Sequence, residues 1–156
     1  MLFPVDPLRL ASLAALAVLV APRTDLAPQV TAPAPASAAL EDAIEVDVRD
    51  LTLLEWQEGD RLPDDITKLD GRRVCIRGYM HKSVTDTVTE FPMVSDSCQC
   101  TGTLLPHHFV EITLSSGDTS PIPGEFEVVG KLSVGEKKDE DGFVVSLYRL
   151  SRASVL

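Results

Sequence analysis

The chain has 156 residues and a formal net charge of −10, the difference between 14 Lys+Arg and 24 Asp+Glu. That length holds one domain of ordinary size. The acidic balance excludes a nucleic-acid binder working by bulk charge, because counterion release needs a basic excess. The charges before Leu40 (Asp6, Arg9, Arg23 and Asp25) cancel, so the whole excess falls between Leu40 and Leu156.

The leading stretch has its own character. After a head carrying Arg9, Leu10 to Val20 is apolar, and shorter than the roughly 20 residues of a spanning helix. Residues 1–21 therefore read as a signal peptide or an uncleaved N-terminal anchor. Residues 22–39 form a Pro/Ala-rich, nearly uncharged linker without apolar periodicity. Export to a periplasmic or other extracytoplasmic site is expected, with membrane attachment through the N-terminal segment if it is retained. No cysteine precedes Cys75, which excludes an acylated N-terminal cysteine.

Residues 40–68 read as an acidic lead-in. Within it Glu45 to Arg49 alternates like a short strand, and Leu51 to Trp56 is an apolar cluster that fits a strand or a single helical turn. Trp56, the one tryptophan, is expected to cap the core. From 69 to 156 the turn signals Asp70-Gly71, Ser116-Gly117, Pro123-Gly124 and Asp141-Gly142 separate alternating segments. Arg73 to Met80 places Val74, Ile76, Gly78 and Met80 on one face and Arg73, Cys75, Arg77 and Tyr79 on the other. Glu90 to Val94 is short, and Pro92 assigns it to an edge or bulge. Phe109 to Leu114 turns Val110, Ile112 and Leu114 to one side. Phe126 to Val134 does the same with Phe126, Val128, Gly130, Leu132 and Val134, and Phe143 to Leu150 is apolar on both faces. Five strands, no long helix and glycines inside two strands predict an all-β fold, a small five-stranded antiparallel barrel of OB type. Ser115 to Pro123 is too short for the helix that OB-folds usually carry between their third and fourth strands.

The run Leu69-Asp70-Gly71-Arg72-Arg73-Val74-Cys75-Ile76-Arg77-Gly78-Tyr79-Met80 resembles the signature of a bacterial family, domain of unknown function family 3299. Glu90 to Val94, the Cys98 to Gly102 loop, Phe109 to Leu114 and the Val-x-Gly-x-Leu pattern at Val128 to Leu132 are similar to later features of that family, so the resemblance spans Leu51 to Val155. It implies an OB-like domain, often exported or lipid-anchored. It implies no activity and no catalytic residue.

Two constellations stand out. In the first, Cys98-x-Cys100 precedes His107-His108. Two thiolates and an imidazole on one short loop can hold Zn or Cu, which take sulfur and nitrogen ligands. The competing readings are a disulfide, between Cys98 and Cys100 or from either to Cys75, and three idle thiols. A redox-active Cys-x-Cys is a further branch. In the second, Arg73, Arg77, Tyr79 and His81 form an outward stripe suited to ligand contact, set against the simpler reading of a solvated strand face. No Gly-rich phosphate loop, His-Glu-x-x-His or Gly-x-Ser-x-Gly is present, so catalysis is not expected. The functional expectation is an exported, non-catalytic binding or assembly module of the bacterial cell envelope. Its partner would be an envelope protein or a glycan, with nucleic acid disfavoured. The alternative is a metal-binding or thiol-redox protein built on the Cys98 to His108 loop.

Overall fold

The computed structural model describes residues 42–97 and 104–156. The order is β1 (Ile44–Asp47), α1 (Val48–Thr52), α2 (Asp64–Thr67), β2 (Arg73–Met80), β3 (Glu90–Val94), β4 (Val110–Leu114), β5 (Glu125–Lys138) and β6 (Val144–Val155). Strands β2 to β6 close on themselves in the order β2-β3-β4-β6-β5-β2. Every barrel pairing is antiparallel except β4 with β6, which is parallel. That order, with one parallel pair at the closure, is a Greek-key barrel of OB type. The expected helix-free link between the third and fourth barrel strands is observed, since residues 115–124 hold no helix.

The expected faces of β2 are the observed ones. Val74 and Ile76 are fully buried, while Arg73 and Arg77 are exposed. All four Xaa-Gly turn signals fall between elements, with glycine at positive φ in each. Strands β5 and β6 extend beyond the alternating runs of the sequence, to Lys138 and Val155. They do so because each lends its length to two partners, β2 and β6 for one, β4 and β5 for the other. The second pairing bends β6. Its register shifts between Ile112 and Leu114 against β4 and between Val129 and Lys131 against β5, and Arg152, at φ 51°, takes the left-handed conformation there. One bulge seen from both neighbours is how a long strand curves to close a barrel.

The lead-in is part of this core. Strand β1 lies parallel to β2, Ile44 to Asp47 opposite Val74 to Arg77, and occupies the half of the β2 edge left open by β3, which pairs only at Tyr79 and Met80. Helix α1 begins where β1 ends, because the Asp47 carboxylate accepts the Arg49 N–H at 2.9 Å, an N-cap. Residues 51–56 take the helical-turn alternative in part, with α1 ending at Thr52 and an extended path following. Val48, Leu51 and Thr52 are buried at the i, i+3, i+4 spacing of one helical face. Trp56 caps the core as expected, its Nε1–H donating to the Asp60 carbonyl at 3.1 Å. Val46, Val48, Leu51, Trp56 and Ile66 join the cluster formed by Ile76, Phe91, Met93, Ile112, Leu132 and Leu150.

Candidate functional site: a cleft lined by the three histidines

A cleft of about 250 Å³ opens where three stretches meet: Thr52 to Glu55 after α1, Val94 to Asp96 after β3, and the segment carrying Leu104, His107 and His108. His81, just past β2, completes its lining. The chain has three histidines, and all of them line this one cleft.

Each imidazole is held by different means. The His81 backbone N–H donates to the Pro92 carbonyl at 3.0 Å, prolonging the β2–β3 pairing by one residue. Its Nδ1 accepts the Ser83 backbone N–H at 3.2 Å, so the neutral ring carries its proton on Nε2. Burial, and to a lesser degree the Lys82 charge, holds its pKa below the usual histidine value. His107 sits deeper. The Leu147 N–H donates to the Pro106 carbonyl at 3.0 Å and pins its segment to β6. Its ring is tilted against Trp56 at a centroid distance of 6.0 Å and meets His108 edge-on at 4.2 Å. Only 7% of His107 is exposed, and its buried Nδ1 has no hydrogen-bond partner among the described residues. Burial and the neighbouring His108 lower its pKa.

Two predictions arise here. For His81 and His107 the folded pKa lies below the unfolded value near 6.5. As pH falls the unfolded chain therefore takes up protons first. The stability these groups contribute is complete above about pH 6.5 and is lost as pH drops through their folded values. A thermal melt series from about pH 7.5 to about pH 5.5 should show a declining Tm. The decline should flatten in His107→Phe, and an unchanged slope in that variant would assign the loss to other groups. The second concerns Tyr148, fully buried on β6, whose hydroxyl also has no partner among the described residues and whose pKa burial pushes up to about 12. An unpaired buried hydroxyl costs about 1–3 kcal/mol of desolvation. Tyr148→Phe should therefore leave stability unchanged or raise it by about 1 kcal/mol, read from urea unfolding; a loss of that size would show that the hydroxyl is bonded.

The outward stripe of β2 is divided. Arg77 donates from Nε to Glu127 Oε1 at 2.9 Å, with Nη2 on the same oxygen. It lines a separate hollow with Glu45, Asp47, Cys75 and Glu127. The face that is basic along β2 is thus flanked by carboxylates from β1 and β5. Tyr79 lies opposite Val94 and Glu125 and is half-buried, Arg73 stands opposite Lys131, and His81 belongs to the other cleft. Cys75 is a free thiol, 6% exposed although it points outward, because Glu45 of β1 and Val129 of β5 pair on either side of it. Burial first, then Glu127 and Glu45, raises its pKa, the opposite of an activated thiolate. Cys98 and Cys100 lie outside the described residues. Among the described residues no group of three or more His, Cys, Asp or Glu is placed to hold a metal ion; His107 and His108 both line the cleft.

The lining residues that sequence reasoning missed are Thr52, Leu53, Leu54, Glu55, Val94, Ser95, Asp96 and Leu104. Leu53, 72% exposed, belongs to a cluster whose apolar pattern reads as core. Only its solvent exposure marks it out, and that is a property of the fold.

No family model matches the sequence, and no curated protein matches it. Among solved structures the chain is similar to that of a DUF3299 family protein from Pseudomonas aeruginosa PAO1, at 18% identity and a TM-score of 0.42, covering 73% of this chain and 96% of that one. That protein is of the family that Leu69 to Met80 resembles. The OB-type assignment stands on the strand pairing of the chain itself.

Proposed function

We propose that the chain is an exported, non-catalytic binding module of the bacterial cell envelope, and that the histidine-lined cleft receives its partner. The observation that carries this reading is the cleft of about 250 Å³ that gathers all three histidines beside Leu53, which is 72% exposed. Leu53 on the same rim offers apolar contact surface. Export rests on the Leu10 to Val20 run and the linker after it. The absence of recognisable catalytic motifs supports a binding role.

Photocrosslinking in intact cells tests both parts. A photoreactive phenylalanine analogue at Leu53 should give an adduct with an envelope protein, and the same analogue at Phe143, exposed on the β5–β6 turn, should give none. Recovery of the chain from the cytosol, or adducts from both positions alike, would overturn the proposal. The competing metal reading needs Cys98 and Cys100 beside His107 and His108. Native mass spectrometry of the exported protein is expected to show the bare chain mass, and a retained Zn or Cu ion would favour that reading instead.

A further inference from the structure

Strand β1 is paired on one side only. It stands first in the sheet order, with β2 as its partner, and among the described residues its backbone makes no bond to a segment on the other side. The N–H and C=O groups of successive strand residues point alternately to the two sides, so this edge presents unpaired donors and acceptors to a further strand. A hollow of about 350 Å³ lies against the same strand. It is lined by the buried Leu51 and Ile66, by Leu69, and by Ile44, which is 37% exposed. It shares no lining residue with the histidine cleft. An open edge supplies main-chain bonds to an incoming strand, and an apolar hollow beside it takes alternate side chains of that strand.

Charge selects the occupant. Glu45, Asp50 and Asp65 also line the hollow, with no Lys or Arg, and none of the three is in an ion pair among the described residues. Arg77, the cation on the Glu45 side of the sheet, is engaged by Glu127. A second copy of the chain fits this edge poorly. Antiparallel pairing of β1 with itself about a twofold axis keeps each face on its own side of the sheet, so Glu45 and Asp47 would meet the same acids of the other copy. A strand of the opposite charge meets no such repulsion.

We propose that the open edge of β1 takes up an extended polypeptide segment of alternating apolar and basic residues, its apolar side chains entering the hollow beside Ile44 and its basic ones lying on the Glu45 side. Main-chain bonding gives the attachment, and the carboxylates give the selectivity.

The probe is a blocked hexapeptide alternating valine and lysine, titrated into the nitrogen-15-labelled full chain. It should shift the amides of residues 44–47 saturably and slow hydrogen exchange at those that face outward. A peptide alternating valine and glutamate should bind about tenfold more weakly. Two further isomers, N-methylated at every valine or at every lysine, carry the same charge but block opposite edges of the added strand. One should lose binding and the other keep it. Glu45→Lys, at an exposed position, should remove the preference for the lysine peptide, a change of selectivity that loss of folded protein does not mimic. Equal binding by the two methylated isomers, a preference that Glu45→Lys leaves intact, or no shift at 44–47 would each overturn the proposal. So would a dimer in analytical ultracentrifugation whose β1 amides are already protected without peptide, which would place a second copy on the edge.

Discussion

A chain beginning at Leu69, where the regular turn and strand pattern starts, is expected to show no cooperative thermal transition, although it contains all five barrel strands. Removing residues before Leu69 takes Val46, Val48, Leu51, Trp56 and Ile66 out of the core. At about 1.5–3 kcal/mol for each buried apolar side chain they contribute about 10 kcal/mol together, against a net stability of about 5–15 kcal/mol for a whole domain. The cut also strips β1 from Val74 to Arg77, leaving part of β2 as an open edge in a barrel that otherwise has few. Circular dichroism and differential scanning calorimetry of the shortened chain decide the matter. A cooperative melt within a few degrees of the full chain would show the lead-in to be dispensable. The point version of the same experiment is Leu51→Ala, at a fully buried position, expected to cost about 3 kcal/mol.

That expectation shows which parts of this fold were legible in the sequence. Strands β2, β4 and β5 were readable because each buries one face, so apolar and polar residues alternate with the period of the pleat. The turns were readable because Gly71, Gly117, Gly124 and Gly142 sit at positive φ, which few other residues adopt. Strand β1 was readable as a strand but not as the parallel partner of β2, since four residues carry no register information beyond their own alternation. The parallel closure of β4 on β6 was hidden for a related reason: it depends on a bulge at Arg152, a residue with no local preference for that conformation. At the site, sequence separation was the obstacle. His81 and His107 stood in two different constellations, and they share a cleft only because the β2–β3 pairing continues to His81 while Pro106 is bonded to β6. Arg77 stood out as a free basic group on its own strand, and the carboxylate that engages it comes from Glu127, fifty residues on. Cys98 and Cys100, central to the metal reading, fall outside the described residues.

Gly78→Ala is the second large effect expected, and it connects the core to the cleft. Gly78 lacks the positive φ of the turn glycines, so backbone freedom is not why it is glycine; space is. A Cβ there would stand 2.8 Å from Val48 Cγ1 of α1 and 2.9 Å from the Val94 carbonyl oxygen of β3. The valine methyl can rotate away, but the carbonyl belongs to the β2–β3 pairing and moves only with its strand. Overpacking of this kind costs about 2–3 kcal/mol, measured as a lower urea midpoint at unchanged m-value. Adding Val48→Ala removes one of the two clashes and leaves the other. The double variant should therefore be more stable than the sum of the two single losses predicts, by about 1 kcal/mol, the signature of residues in contact. Simple additivity would mean that the strain lies elsewhere. Gly142→Ala separates space from conformation: its Cβ meets nothing within 4 Å, but φ is 89°, so a loss of only about 1 kcal/mol is expected. Gly78 also sets how closely α1 approaches β3, and the residues that follow those two elements, Thr52 to Glu55 and Val94 to Asp96, are facing walls of the cleft. Forcing them apart should lower the yield of the Leu53 crosslink in folded Gly78→Ala protein, whereas Gly142→Ala, on the distant β5–β6 turn, should crosslink as the parent does. Equal yields in the two variants would detach the cleft from the packing that the structure places behind it.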